Sequence, residues 1–345
     1  QDSPLLSFML TRIMHEAGLP NGVVNLIHGK GSGAGQFLVD SVDEGLVNKI
    51  SFTGSTPVGK MIGEVCGRNL VSCSLELGGK NPLVVMPSAN IENAVEGAYW
   101  AAFGTAGQRC TSLGNLILHK DIYEEFMDKF MAKVKETKIG DSLRNDDVLY
   151  GSMLSEKYAS DFLRDLGMCE TDGATKLWGE GKITNENKPE NFQGDASEGA
   201  YMWPHVYADV TEEMQCFQQE IFGPVVTVVR AEDFENALYL ANASPFGLSS
   251  ACYTNDRLEA YRFKTGIKAG MTGINNSTTG AEAHLPFGGV KDSGNGTRES
   301  GIWVIEAYSY WHAVNDELSG KLQLAQMDVD EIHVKEAEAD YASLA

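Results

Sequence analysis

The chain has 345 residues, of which 43% are hydrophobic, and its 27 basic and 48 acidic residues give a formal net charge of −21. This length and apolar fraction are enough for two hydrophobic cores. A surface of this charge repels a phosphate backbone, so we expect no nucleic-acid partner. No apolar run is long enough to span a membrane, and no basic segment followed by an apolar one opens the chain, so we expect neither membrane insertion nor a signal peptide.

The first 77 residues alternate between helix-like and strand-like segments. Ser3-Pro4 is typical of a helix start, because a capping hydroxyl precedes proline at the first helical position. The alternation is typical of a parallel sheet with crossover helices and amounts to about half of a doubly wound nucleotide-binding domain. The predicted elements are a helix at 5–17, a strand at 23–27, a glycine turn at 29–35 into a second helix, a strand at 48–52, a third helix ending near Gly67 and a strand at 71–77.

A second α/β domain is predicted for residues 78–291. The stretch 179–200 is irregular and polar, which indicates a surface insertion. Residues 327–345 are rich in acidic side chains and poor in large apolar ones, so we predict a disordered tail there. The elements predicted for the second domain are strands at 83–86 and 116–119 and within 224–229, 248–254 and 271–275, and helices at 91–103, 121–137, 233–242 and 256–264.

The six cysteines form no C-x-x-C pair and none lies beside a histidine at the spacing of zinc ligands. We therefore expect a reduced, cytoplasmic protein without a structural metal. Five of the cysteines read as ordinary core or surface residues. Cys110 differs, because it lies in a glycine-containing loop that follows a predicted helix, directly after Arg109. A free thiol has a pKa of about 8.5, so it needs local help to react as a thiolate.

Three further segments carry residues suited to chemistry. In FTGSTPVGK (52–60), Gly54 and Ser55 place N–H groups and a hydroxyl at a helix N-terminus, which favours phosphate, although an ordinary turn and cap is the alternative. In LELGGKNP (75–82), Glu76 ends an apolar strand, where burial raises a carboxyl pKa and suits a general base. The alternative for Glu76 is an exposed carboxylate at a strand end.

The segment QEIFGPV (219–225) places Glu220 and Phe222 just before an apolar strand. A carboxylate in this position can bind a ribose diol, and an aromatic ring can pack on another flat ring. The alternative is a charged loop before a core strand. The segment GKGSGAG (29–35) is not a nucleoside-triphosphate loop, because the Gly-Lys-Ser/Thr ending is missing.

Five motifs occur in an order that resembles the aldehyde dehydrogenase superfamily, with Glu76 and Cys110 at the 34-residue separation typical of that family. The resemblance covers roughly residues 3–325. It implies an α/β fold with a partial Rossmann-type cofactor domain and an α/β catalytic domain. The motifs are FTGSTPVGK, LELGGKNP, GQRCTS, EIFGPV and PFGGVKDSGNGTRESG.

The resemblance divides the chain by role. Residues 1–77 correspond to the C-terminal half of the NAD(P)-binding domain and residues 78–291 to the catalytic thiol domain. Residues 292–326 return to the cofactor domain and contribute to oligomerisation, with 314–324 as an inter-subunit strand. The family implies a homodimer or homotetramer and a small-molecule aldehyde as the partner.

The chemistry that the resemblance implies is oxidation of an aldehyde to a carboxylic acid with NAD or NADP. Cys110 is then the nucleophile that forms a thiohemiacetal and a thioester, and Glu76 activates the water that hydrolyses the thioester. The oxyanion is held by the Cys110 backbone N–H and by a side-chain amide. Lys80 and Asn81 are expected to be structural. The implied cofactor-binding residues are Gly54, Ser55, Gly59, Leu77, Gly78, Glu220 and Phe222.

The stretch STTGAEAHLPFGG (277–289) resembles antiquitin, the α-aminoadipic semialdehyde dehydrogenase branch of the family. In that branch a Gly-Ala-Glu loop holds the substrate carboxylate through backbone N–H groups, which is reasonable chemistry for an anion. We therefore predict Thr111, Gly280 and Ala281 as carboxylate anchors and Phe287 as part of the substrate mouth. An amino-acid semialdehyde is one candidate substrate, and other aliphatic or aromatic aldehydes are the alternatives.

Two departures from the family pattern qualify this interpretation. The family's chains usually begin much earlier, and that earlier part supplies the first strands of the cofactor domain and the side-chain amide of the oxyanion hole. SGNGTRESG (293–301) carries one extra residue, for which we expect a loop adjustment. A truncated, non-catalytic relative is therefore the alternative function. A dehydrogenase that transfers the acyl group to coenzyme A is disfavoured, because such enzymes usually lack the base at Glu76.

Overall fold

The computed structural model describes residues 2–316, 318 and 320. It consists of two units, which divide after Ala307. The described residues of the second unit, 308–316, 318 and 320, contain no helix or strand. The predicted acidic tail at 327–345 and most of the predicted inter-subunit strand at 314–324 lie outside the described residues.

The first unit is built from short strands connected by helices. In the described part of the chain the strands are β1 (Lys49–Thr53), β2 (Ser72–Glu76), β3 (Asn81–Val85), β4 (Leu113–His119), β5 (Thr175–Trp178), β6 (His205–Ala208), β7 (Val225–Ala231), β8 (Phe246–Gly247), β9 (Ala251–Tyr253), β10 (Gly273–Ile274) and β11 (Val290–Lys291). The α-helices there are α1 (Pro4–Glu16), α2 (Gln36–Asp43), α3 (Thr56–Arg68), α4 (Ile91–Phe103), α5 (Tyr123–Lys135), α6 (Glu156–Asp172), α7 (Gln215–Gln218), α8 (Phe234–Asn242), α9 (Arg257–Gly266) and α10 (Trp303–Ala307).

Seven strands form the larger sheet, in the order β10-β9-β3-β4-β7-β6-β5. All its pairs are parallel except β5 with β6, which is antiparallel. The interior strand β3 is buried at all five positions, as expected where helices cover both faces of a parallel sheet. The largest core of the molecule surrounds this sheet, and its aromatic part includes the stacked rings of Phe103, Phe126 and Phe130.

Short polar side chains begin several of the helices that flank this sheet. Asn90 accepts a hydrogen bond from the Asn93 N–H at 3.0 Å and caps α4, and Asp233 caps α8 in the same way through the Asn236 N–H. Asp256 accepts from two N–H groups in the first turn of α9. These caps fix where α4, α8 and α9 start, because they satisfy N–H groups that have no partner within the helix.

A smaller core lies between the parallel pair β1–β2 and helices α2 and α3, and it includes Val42, Ile62 and Leu75. The segment that follows β11 packs along β2. The Leu77 N–H donates to the Ser293 carbonyl at 2.9 Å, and the Asn295 side-chain amide donates to the Cys73 carbonyl at 2.8 Å. Residues 293–295 therefore attach to the smaller sheet and bring a late part of the sequence to the end of β2.

The predicted α/β fold class is confirmed, and most predicted elements of the first unit lie within a few residues of the observed ones. The strand predicted at 23–27 is wrong. Val23 is 62% exposed and Ile27 is 76% exposed, and no described strand pairs with this segment. A strand exists only through pairing with a neighbour, and an apolar run does not reveal whether a neighbour is present.

Candidate active site

The loop between α4 and β4 carries Cys110. Thr105 and Ala106 adopt left-handed backbone angles, with φ of 59° and 54°, and Gly107 follows with φ of 63°. A left-handed conformation costs a non-glycine residue about 1 kcal/mol, so surrounding contacts must hold the loop in this shape. Cys110 itself is partly exposed, which leaves the thiol accessible at the end of the loop.

Asn81, the first residue of β3, provides several of these contacts. Its side-chain nitrogen donates to the carbonyl oxygens of Cys110 and Ser112 at 2.8 and 2.7 Å. The Thr278 hydroxyl donates to the Thr111 carbonyl at 2.8 Å. The loop that carries Cys110 is therefore attached through its backbone to two distant parts of the chain.

Glu76 ends β2 and is only 5% exposed. Neither of its carboxylate oxygens has a hydrogen-bond partner of ordinary geometry among the described residues. Burial raises the pKa of Glu76 to about 8, and the nearby Glu299 carboxylate raises it further, whereas Arg298 and, more weakly, the Gly289 N–H oppose this. A carboxylate with this pKa and with free oxygens is suited to accept a proton near neutral pH.

Glu220 is the second carboxylate near the loop, and it is partly buried. Its Oε1 accepts a hydrogen bond from the Gly79 N–H at 3.2 Å. Burial raises the pKa of Glu220 to about 7, and the Gly79 bond and the buried Lys80 ammonium limit the rise. The structure therefore holds one carboxylate of raised pKa within the motif LELGGKNP, at Glu76, and a second, Glu220, that is bonded to the Gly79 N–H of that motif.

Both carboxylates act on Cys110. Burial raises the pKa of the Cys110 thiol to about 11, and the charges of Glu220 and Glu76 contribute to the rise. The backbone N–H groups of Cys110 and Thr111 oppose it by hydrogen bonding to the sulfur. Arg109 does not assist, because its guanidinium lies over the Trp100 ring at 5.5 Å from the centroid.

The residues predicted to bind a cofactor fall into two groups. Gly54 and Ser55 are exposed just before α3, and the Ser55 hydroxyl caps no N–H group of that helix. Pro57 has no N–H and the Gly59 N–H donates to the Ser55 carbonyl, so the N–H groups of Thr56 and Val58 are the first-turn donors left for an anion. Gly59 is buried against the Leu77 side chain, so these two residues shape the helix–strand contact beneath the turn.

Gly78, Glu220 and Phe222 form the second group, on the side of the loop that carries Cys110. Gly78 lies directly against the Glu220 carboxylate. Phe222 is 39% exposed, so one face of its ring is open to a ligand. Phe222 and Glu220 line a narrow crevice together with Gly79 and Lys80.

The predicted substrate residues are only partly brought together. Gly280, Ala281 and Phe287 line one cavity of about 200 Å³, whereas Thr111 does not line it. Thr111 is buried, and its carbonyl is the acceptor of the Thr278 hydroxyl. The Ala281 N–H donates to the Thr279 carbonyl at 2.8 Å, so in this conformation it is not free to hold a carboxylate.

Two other kinds of site were searched for in the described residues. No group of three or more histidine, cysteine, aspartate or glutamate side chains there is arranged to hold a metal ion. None of the helices described is both long enough and apolar enough to cross a membrane.

The model of the aldehyde dehydrogenase family matches residues 1–314. The chain belongs to the aldehyde dehydrogenase family. The resemblance inferred from the five motifs is thereby confirmed. The family match includes the loop of Cys110, the strand end at Glu76 and the crevice beside Glu220.

Curated relatives of known name agree with this assignment. The chain is 38% identical over 286 residues to the α-ketoglutaric semialdehyde dehydrogenase of Bacillus subtilis, covering 83% of this chain and 56% of that protein. It is 37% identical over 311 residues to the vanillin dehydrogenase of Corynebacterium glutamicum, covering 89% and 60%. The chain thus spans about 60% of the length of these relatives.

Solved structures of the family have the same fold. An NAD-dependent aldehyde dehydrogenase from Sinorhizobium meliloti superposes with a TM-score of 0.84 at 32% identity, covering 93% of this chain and 60% of that one. The betaine aldehyde dehydrogenase of Staphylococcus aureus in complex with NAD+ superposes with a TM-score of 0.82 at 32% identity, covering 89% and 58%.

Some residues of the site were not identified from the sequence. Asn81 was expected to be merely structural, and Thr278 and Glu299 were not singled out. Their contacts join residues that are far apart in the chain, as between Thr278 and Thr111. A single sequence offers no signal for such pairs. The GGKNP motif contains Asn81, but it does not indicate which loop the Asn81 side chain reaches.

Proposed function

We propose that this chain carries the thiol site of an enzyme that oxidises an aldehyde to a carboxylic acid with NAD or NADP. The observation that supports this most directly is the arrangement of Cys110 and Glu76. A partly exposed thiol at the end of a held loop lies within the electrostatic reach of a buried carboxylate that has no hydrogen-bond partner of ordinary geometry among the described residues. In an aldehyde dehydrogenase, these are the groups needed for attack on a carbonyl and for hydrolysis of the product.

The first step is the attack of the Cys110 sulfur on the aldehyde carbonyl. The thiol is protonated near pH 7, because its pKa is raised to about 11. Its proton therefore passes to a neighbouring base, and Glu76 and Glu220 have pKa values of about 8 and 7. The carbon–sulfur bond forms as the carbonyl oxygen takes up negative charge. The Cys110 backbone N–H is the donor that we propose for stabilising that oxyanion.

Residues on two elements fit a dinucleotide. The turn at Gly54 and Ser55 presents first-turn N–H groups of α3 to a pyrophosphate, and Glu220 and Phe222 present a carboxylate and a ring face. A nicotinamide held beside Glu220 and Phe222 would serve as the acceptor of the hydride that the thiohemiacetal carbon loses as it becomes the Cys110 thioester.

The last step is hydrolysis of the thioester. Glu76 takes a proton from a water molecule as the water oxygen attacks the thioester carbon, and the carbon–sulfur bond breaks. The acid is released and the Cys110 sulfur recovers a proton. Burial outweighs the nearby Arg298 charge in setting the pKa of Glu76, and neither carboxylate oxygen has a hydrogen-bond partner of ordinary geometry among the described residues, so the carboxylate remains basic enough for this role.

For the substrate, we propose a semialdehyde that carries a carboxylate, among the aldehydes that such a site accepts. Two of the relatives have α-ketoglutarate semialdehyde in their names, one from Bacillus subtilis and one from Haloferax volcanii. The vanillin, phenylacetaldehyde and betaine aldehyde dehydrogenases among the relatives keep aromatic and cationic aldehydes as alternatives. A homodimer or homotetramer in the cytoplasm completes the proposal.

The test is reduction of NAD+ or NADP+ by the complete polypeptide with a panel of aldehydes, including α-aminoadipic semialdehyde, α-ketoglutaric semialdehyde and vanillin. Cys110→Ala should abolish turnover. The matched control is Cys252→Ala, because Cys252 is a buried thiol whose pKa is also raised, to about 12. A folded wild-type protein that oxidises none of the aldehydes would contradict the proposal and favour a non-catalytic relative. Thioester formation with added coenzyme A would contradict the role of water.

A further inference from the structure

We propose that Asn81 is a positioning residue for the nucleophile, and that it acts through a buried hydrogen-bond network shared with Ser249 and Thr278. The proposal rests on the role of Cys110 proposed above. Asn81, Ser249 and Thr278 are 1%, 3% and 2% exposed, so this network is sealed from water. A buried polar network with its groups satisfied is rigid, because breaking any bond leaves a buried group without a partner.

The Asn81 side chain makes three hydrogen bonds, which join three segments of the chain. Its side-chain nitrogen has two hydrogens and donates to the carbonyls of Cys110 and Ser112. Its side-chain oxygen accepts the Ser249 N–H at 2.9 Å. One side chain thus joins the start of β3, the nucleophile loop and the loop between β8 and β9.

Ser249 and Thr278 extend the network to the loop that lines the cavity at Gly280. The Ser249 hydroxyl donates to the Thr278 carbonyl at 2.5 Å, and the Thr278 hydroxyl donates to the Thr111 carbonyl. The nucleophile loop is therefore held from both sides. Consecutive carbonyls at residues 110, 111 and 112 each accept a bond from this network.

Holding the Cys110 carbonyl has a direct effect on the sulfur. The peptide between Cys110 and Thr111 is planar, so its carbonyl and its N–H point in opposite directions. When Asn81 fixes the carbonyl on one side, the Thr111 N–H is fixed on the other. That N–H is one of the two backbone groups that lower the pKa of the Cys110 thiol and so favour the thiolate. Asn81 therefore aims a donor at the sulfur from the far side of the peptide.

The loop needs this support because its backbone is strained and closely packed. Thr105 and Ala106 have left-handed backbone angles. Without anchors, the loop would lower its free energy by letting these two residues return to ordinary angles. A Cβ atom at Gly79 would collide with the Cys110 carbonyl oxygen, so the two backbones are in close contact there. Small changes in this contact move the whole Cys110 peptide.

The experiment measures the pH dependence of Cys110 alkylation by iodoacetamide in the complete polypeptide, followed by peptide mass spectrometry, together with kcat and KM. Asn81→Ser should raise the pH midpoint of alkylation, since the Thr111 N–H is no longer aimed at the sulfur. It should also lower kcat by about 10- to 100-fold with KM nearly unchanged, as expected for misplacement of a reacting group. Thr278→Val removes one bond and keeps the shape, so its effect should be smaller and in the same direction.

The matched control is Asn191→Ser. The Asn191 side-chain nitrogen also donates to two backbone carbonyls, those of Glu136 and Thr137, away from the site. If Asn81→Ser has the same pH midpoint of alkylation and the same kcat as Asn191→Ser, the proposal is overturned and the role of Asn81 is structural. If Asn81→Ser does not fold, an unchanged midpoint in Thr278→Val overturns it. The alkylation readout needs no turnover, so it tests positioning even if the proposed oxidation fails.

Discussion

The Gly79 N–H donates a hydrogen bond to Oε1 of Glu220 at 3.2 Å. This bond ties the turn that follows Glu76 to the loop that precedes β7. The Glu220 side chain is therefore held against the turn that follows Glu76, and both carboxylates add to the effect of burial in raising the pKa of the Cys110 thiol. The thiol is kept protonated until a base takes its proton, which protects it from unwanted reactions and makes its reactivity depend on the neighbouring carboxylates.

Gly78→Ala tests whether the close contact between Gly78 and the Glu220 carboxylate matters for cofactor binding. A Cβ at Gly78 would collide with the end of the Glu220 side chain, which can move, whereas the backbone can stay in place. We therefore expect weaker cofactor binding, with KM for NAD+ raised about tenfold or more through loss of a charge-assisted contact, and little change in Tm. Gly167→Ala in α6 is the control, since nothing lies within 4 Å of its Cβ position. If the KM for NAD+ is unchanged in Gly78→Ala, Glu220 does not contribute to cofactor binding.

Glu76→Gln should separate the two halves of the reaction. The amide cannot accept a proton from water, but the attack by Cys110 and the transfer of hydride do not require Glu76 once another base takes the thiol proton. We expect a burst of about one equivalent of NADH per site followed by turnover at least 100-fold slower, as for loss of a general base. Rapid-mixing absorbance measures the burst, and mass spectrometry of the quenched protein detects the acyl group on Cys110. If neither the NADH burst nor the acyl group on Cys110 is found, Glu76 is needed before the acyl group forms.

The pH dependence of hydrolysis should follow the same group. Only the ionised form of Glu76 is a base, and its pKa is raised to about 8. Where hydrolysis limits the rate, activity should rise about tenfold per pH unit below that value and level off above it. Steady-state rates measured from pH 6 to 10 in buffers of constant ionic strength give this profile. A profile in the wild type that is already flat at pH 6 would show that the carboxylate is ionised and exposed.

The comparison of sequence and structure explains which parts of this site were predictable. Cys110, Glu76 and Glu220 lie in short motifs whose local chemistry is visible, and each was predicted. Helix α6 was not predicted, although Ala159, Phe162, Leu166 and Cys169 are buried at helical spacing. That signal was present in the sequence but was weakened by the many charged residues between these positions.

The network around Asn81 was beyond a single sequence for a different reason. Ser249 lies 168 residues from Asn81, and Thr278 lies 167 residues from Thr111. Which loops meet is decided by the order of strands in the larger sheet, where β9 lies beside β3. The local sequence pattern predicts neither the order of strands in the sheet nor the direction in which a side-chain amide points.

Thermal stability provides a test of the Glu76 environment that needs no substrate. The pKa of Glu76 is about 8 in the folded state and 4.5 for the ordinary group, so between these values the folded protein binds the proton that the unfolded chain loses. The contribution of Glu76 to the free energy of unfolding is therefore fully present below pH 4.5 and is lost as the pH rises to 8. Glu76→Gln cannot lose a proton, and should be more stable than the wild type by on the order of 2 kcal/mol at pH 9, with a smaller difference at pH 5. Calorimetry at both pH values measures the difference, and Glu299→Gln is a control for the charge of its neighbour.

The accessibility of the cysteines gives the last prediction. Cys110 and Cys73 are partly exposed, whereas the other four cysteines are buried. Thiolate is the reacting form, and the backbone N–H groups of Cys110 and Thr111 favour it at Cys110. We expect iodoacetamide to modify Cys110 and Cys73 in the native protein, and the buried cysteines only after denaturation. Bound NAD+ should change the rate at Cys110 and not at Cys73, if the cofactor lies beside Glu220 as proposed. Peptide mapping with time measures each site, and rapid native labelling of Cys252 would contradict the packing of β9 against β3.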